Sequence, residues 1–79
     1  MNKLVFVYAD DWEGVYLNNQ LLAQDHSINA YALIRALIKE DVTLDNTTIV
    51  DSVEAGEWLM YEGYLPETYE EFEEKQNEN

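Results

Sequence analysis

The residues able to do chemistry in this 79-residue chain are few, and nearly all are carboxylates. There is one histidine, His26, and no cysteine. A histidine works as a general base when a nucleophile or an orienting carboxylate accompanies it. No nucleophile motif stands with His26, which reads instead as the end of a strand beside a capping Ser27. The missing cysteines exclude disulfides and thiolate metal sites, and nothing indicates an oxidising compartment. Asp10-Asp11-Trp12-Glu13-Gly14 is acidic enough to be tested as a calcium loop. Such loops place oxygen ligands at alternate positions, with a bidentate Glu further on. Here the spacing is wrong and Trp12 intrudes. Neighbouring carboxylates such as Asp10-Asp11 and Glu70-Glu71 point apart on a strand or helix, so adjacency makes no acid–base dyad. Gly14, Gly56 and Gly63 are too scattered for a phosphate-cradling loop. The expectation is a protein with no enzymatic activity, no metal and no cofactor.

What remains is charge. Seventeen acidic residues face four basic ones, a formal net charge of −13. Residues 51–79 hold ten of the carboxylates against Lys75 alone, whereas residues 1–50 hold seven against three cations. A solubilising surface normally interleaves both signs. Mutual repulsion costs stability in a small domain, which buries only ~60–65% of the surface its unfolded chain exposes. The imbalance therefore points to selected binding of a basic partner. It argues against direct binding of nucleic acid or of anionic membranes. No run approaches the ~20 apolar residues of a membrane span. The N-terminal apolar run to Ala9 is too short for a signal-peptide core with its cleavage site, so a cytoplasmic location is expected.

The elements must position that charge. Lys3–Ala9 is a β-branched and aromatic run that reads as a strand buried on at least one face. Val15–Leu17 and Gln20–Gln24 flank Asn18-Asn19, a pair that tolerates the positive φ of a hairpin turn. Behind a Ser27 cap, Ile28–Glu40 has helical periodicity. Ala30, Tyr31, Leu33, Ile34, Leu37 and Ile38 gather on one side, with Arg35 and Lys39 on the other. Asp45-Asn46 marks a turn and Thr47–Val50 a fourth strand. Ser52 opens a short helix through Glu57–Tyr61, and Gly63 is placed to cap its end. Pro66, Glu67 and Thr68 suit the start of a last helix, Glu67–Lys75, pinned by Leu65, Tyr69 and Phe72. The expected order is β-β-β-α-β-α-α in a single α+β domain: a small antiparallel sheet of about four strands with helices packed on one face. Residues 76–79 are expected to be disordered.

On the last helix, Glu67, Glu70, Glu71, Glu74 and Glu78 recur at three- and four-residue steps. Carboxylates on successive turns stand about 5.4 Å apart along the axis. Successive phosphates on one nucleic-acid strand are ~7 Å apart, about double the 3.4 Å rise per strand. A rigid array of this kind can take the place of a phosphate backbone in a basic groove. Glu67, Glu70, Glu71, Glu73 and Glu74 would supply the charges, Asp10, Asp11 and Glu13 would extend them from a neighbouring loop, and Tyr69 or Trp12 would make the desolvated contact.

Two stretches resemble a pattern in small acidic uncharacterised proteins of phages and prophages. One is Tyr16-x-Asn18-x-x-Leu21 through His26-Ser27, and the other is Glu57-Trp58-Leu59 followed by Gly63-x-Leu65-Pro66-Glu67-Thr68. These are structural signatures of turns and caps. The resemblance implies a phage setting, and charge and size are similar to those of DNA-mimic inhibitors. The expected partner is then a basic nucleic-acid-binding host or defence enzyme. Two rivals share the composition: an immunity or antitoxin-type partner of a basic toxin, and an acidic module that self-assembles through the Arg35–Lys39 side of its central helix. Either a monomer or a homodimer is compatible with these readings.

Overall fold

The computed structural model describes residues 2–9, 11–52 and 55–77. Its order is β1 (Lys3–Ala9), β2 (Trp12–Leu17), β3 (Gln20–Asp25), α1 (Ala30–Lys39), β4 (Asn46–Asp51), α2 (Ala55–Glu62) and α3 (Tyr69–Asn77). The α+β class and the element order agree with the sequence reading. The sheet runs β3-β2-β1-β4. β1 with β2 and β2 with β3 are antiparallel, but β1 and β4 are parallel, so the sheet is mixed rather than antiparallel. The cause is α1. A strand that returns parallel to its neighbour needs a long crossover, and α1 carries the chain from β3 across to β4.

That crossover also corrects the expectation of helices on one face. β1 alternates, sending Leu4 and Phe6 to one side and Val5, Val7 and Ala9 to the other. Leu4 and Val15 pack with Leu37 and Leu33 of α1, joined by Leu17, Ile28, Val42 and Leu44. Val5, Val7, Ala9 and Tyr16 pack with Leu59 of α2, with Leu65, and with Phe72 of α3. The sheet thus lies between α1 and the α2–α3 pair.

Local chemistry sets the boundaries. Asn18 and Asn19 take φ of 50° and 72°, the paired left-handed values that a primed hairpin turn requires. α1 is capped by Asn29, not Ser27: its side chain accepts from Ala32 N at 3.1 Å. At the other end Asp41 adopts φ 60°, donating to the Ile38 carbonyl while Val42 donates to that of Leu37. This is a Schellman closure with aspartate where glycine is usual. Gly63 (φ 81°) ends α2, as expected from sequence. Gly14 is required by space: a Cβ there would lie 2.1 Å from Cδ1 of Leu65.

Ser52 is buried and accepts a hydrogen bond from Gln76. The residues that would complete a cap after it, Val53 and Glu54, lie outside the described residues. α3 continues through Asn77, so Gln76 and Asn77 are helical where disorder was expected; Glu78 and Asn79 lie outside the described residues. Among the described residues no helix is long and apolar enough to cross a membrane.

Candidate protein-binding site

The acidic end folds into a fixed ridge. Thr68 starts α3: its Oγ1 accepts from Glu71 N at 3.2 Å and donates to Glu71 Oε1 at 3.1 Å. The Thr-x-x-Glu spacing is that of a capping box, with Glu71 at the third helical position taking the Thr68 hydroxyl where the full motif takes the backbone N–H. The hairpin turn holds the same end. Asn19 accepts from Tyr69 N through its carbonyl at 3.0 Å and from Glu70 N through Oδ1 at 2.9 Å. Leu21 N donates to the Glu67 carbonyl at 2.7 Å, and Gln20 bridges Thr68. At the other end Lys75 pairs with Glu62 of α2, and Gln76 reaches Ser52. Between the two ends Phe72 is buried and Tyr69 half-buried, its ring edge-on to Tyr16 and stacked on Phe72. The helix is therefore held at both termini and along its inner side.

Glu67, Glu70, Glu71, Glu73 and Glu74 are all exposed. They divide about the ridge. Glu67 and Glu71 line a groove shared with Glu62, Tyr64, Pro66 and Lys75. Glu70 and Glu73 line another with Lys3, Asn19 and Tyr69. Each groove contains one lysine among its carboxylates. Glu71 is partly committed to the cap; Glu67, Glu70, Glu73 and Glu74 have no hydrogen-bond or ion-pair commitment of their side chains among the described residues.

Beneath the ridge, Tyr16 fixes the turn that precedes α3. Its hydroxyl donates to the Pro66 carbonyl at 2.8 Å inside the core. Burial, then the negative charge of Glu71 and the neighbouring Tyr69, hold its phenol well above the ordinary tyrosine range. Tyr69 is shifted the same way, by burial and then by Glu73. Both are neutral at any physiological pH.

The loop expected to extend the array lies apart from the start of α3 and close to α2. α3 begins against the Asn18–Asn19 turn, about 17 Å along a six-residue strand from Asp11 and Trp12. It ends near the other end of the sheet, where Gln76 donates to Ser52 and Ser52 N to the Tyr8 carbonyl. Asp11 and Trp12 line a pocket with Ala9, Leu59, Met60 and Gly63. Asp10 lies outside the described residues. Glu13 is half-buried and accepts from Ile28 N at 3.0 Å, steering the chain toward α1. Trp12 is half-buried too. Its indole donates to Gln24 Oε1 at 3.0 Å and meets His26 edge-on, with ring centroids 4.9 Å apart. The same Gln24 oxygen accepts from Leu65 N at 2.7 Å. Trp12 is thus a brace between β2, β3 and the α2–α3 connection. Of this loop only Asp11 remains an exposed acid among the described residues.

Sequence reasoning missed the aromatics that do face solvent beside the carboxylates. Met60 and Tyr61 of α2 are 86% and 91% exposed, and Tyr64 is 62% exposed. Tyr64 shares the Glu67–Glu71 groove. Tyr69, the expected contact residue, is half-buried against Tyr16 and Phe72 and lines the Glu70–Glu73 groove with its remaining surface. The signal was available in spacing: Leu59 and Leu65 claim the inward positions, which leaves Tyr61 and Tyr64 outside. Among the described residues no group of three or more His, Asp or Glu side chains is gathered as metal ligands are. Compared with protein-family models, curated proteins and solved structures, the chain has no match.

Proposed function

We propose that this chain is a non-enzymatic acidic binding protein whose α2–α3 face occupies the basic nucleic-acid groove of a partner, such as a bacterial nuclease, restriction enzyme or other cytoplasmic defence protein. The observation that carries the reading is the attachment of α3 at both ends, with its carboxylates left in solvent. A floppy acidic tail loses conformational entropy when it orders on a partner, at roughly 1–2 kcal/mol per residue for the backbone alone. A helix already fixed to a sheet avoids that cost, so its charges act as a preformed array. The carboxylates on successive turns approximate phosphate spacing, and Tyr61, Tyr64 and Met60 supply apolar surface for a desolvated centre.

The test is capture from bacterial lysate on the tagged protein, at low and at moderate salt. The expected result is one basic nucleic-acid enzyme retained at moderate salt and released by added duplex DNA. Retention of many basic proteins at low salt and none at moderate salt would contradict the proposal, because generic attraction is screened over a Debye length of about 8 Å at 0.15 M.

A further inference from the structure

The two edges of the sheet differ. β3 is protected: a register shift lies in its pairing at Val15/Tyr16, and the Glu67–Tyr69 segment bonds across its start. Bulges and covering segments are the usual guards against edge-to-edge pairing. β4 has neither. Its centre, Thr47-Thr48-Ile49-Val50, is uncharged and rich in strand-forming residues, without a lysine or proline. Asn46 N donates to Asn2 O and Ser52 N to Tyr8 O, so the even-numbered residues bond inward to β1. By alternation, Thr47, Ile49 and Asp51 present both their N–H and C=O groups outward. No backbone partner for them is seen among the described residues.

We infer that two copies of this chain join through these β4 edges about a two-fold axis at Ile49, fusing the two four-stranded sheets into one. Antiparallel pairing at that axis sets Ile49 opposite Ile49 of the second copy and Thr47 opposite its Asp51. All three outward residues are then used, giving about six backbone hydrogen bonds. The charge pattern selects this occupant and this register. Two molecules of −13 repel, and β4 offers a carboxylate-free stretch on which they meet; each Asp51 faces a threonine, not its own twin. A partner strand with its own flanking charges has no such built-in match.

The contact continues onto α1. Ile49 is 68% exposed on the α1 side of the sheet, and Ile38 is 70% exposed. Leu33 and Leu37 point at the sheet, and a crossover of the usual right hand turns Ile34 and Ile38, one position on, toward β4. In the dimer both α1 helices stand on the same face, with these isoleucines turned toward the Ile49 pair. That apolar cover matters, because edge pairing alone falls short of the ~1,000 Å² expected of a specific interface.

Sedimentation velocity over a concentration series, at low and moderate salt, tests the dimer. Association should tighten as salt rises, opposite to the acidic face binding a basic partner, so failure of one proposal is distinguishable from failure of the other. Ile49→Lys, at a solvent-exposed site, should give a monomer with an unchanged far-ultraviolet spectrum. Thr47→Lys should tighten the dimer about fivefold by creating two cross-strand pairs with Asp51, and Thr47→Asp should loosen it by a similar factor. Ser27→Lys, which changes net charge equally but lies elsewhere, should tighten it far less, through the weakened long-range repulsion alone. A wild-type monomer at both salts, a dimer indifferent to Ile49→Lys, or Thr47 variants that behave like Ser27→Lys would each overturn the inference.

Discussion

Two polar side chains, Gln24 and Tyr16, join parts of the chain that are far apart in sequence. Gln24 receives the Trp12 indole and the Leu65 amide on one oxygen, and Tyr16 reaches across fifty residues to the Pro66 carbonyl. Neither was legible beforehand, since a glutamine and a tyrosine in short strands carry no local sign of their distant partners. The Asn18–Asn19 turn and the Gly63 cap were legible because backbone sterics alone dictate those residue types. Tyr16→Phe should cost about 1 kcal/mol at neutral pH, leaving the Pro66 carbonyl without its partner. It should also change the alkaline limb of stability. The folded-state phenol is held above its unfolded value, so its contribution is fully present below about pH 10 and is lost as pH rises beyond it. Thermal melts from pH 8 to 11 should therefore fall less steeply for Tyr16→Phe than for wild type, Tyr69 contributing the remainder.

At the scale of elements, apolar periodicity located the strands and helices, but strand direction and helix side came from connectivity. β4 pairs parallel with β1 because α1 is a crossover, and that same crossover puts α1 on the face opposite α2 and α3. A helix placed between the third and fourth strands could have been read as that signal. The expected stripe of Leu65, Tyr69 and Phe72 does pin α3, whereas Asp11 and Trp12 stand one strand length from the hairpin turn where that helix begins. Phe72 is the deepest attachment of the acidic helix. Phe72→Ala should destabilise by about 3–5 kcal/mol, a large share of the ~5–15 kcal/mol available to a small domain. Thermal denaturation should show a midpoint lowered by at least about 12 °C, at ~4–8 °C per kcal/mol. A loss below 1 kcal/mol would mean that α3 is held by its ends alone.

For the whole molecule, charge dominates. The net charge is −13 with all four cations counted, and one ion pair, Lys75–Glu62, is seen among the described residues. The longest dimension is 37 Å. At 0.01 M salt the Debye length is about 30 Å and most carboxylates sense one another; at 0.15 M it is about 8 Å and only neighbours do. Melting temperature should rise between those two conditions, and a flat response would mean the carboxylates are spread widely enough to ignore each other. The charge and its apolar pin at Phe72 were plain in the sequence, while the polar attachments by Asn19 and Gln76 were not.

The central claim is that the fixed carboxylates of α3 make the binding surface. It is tested most directly by the salt-dependent affinity of the captured partner for wild type and for a Glu67→Gln, Glu70→Gln, Glu74→Gln variant, with Glu71 kept because it caps the helix. The account predicts an unchanged fold, affinity lower by about tenfold or more, and a shallower dependence on salt. Equal affinity with equal salt dependence would contradict it.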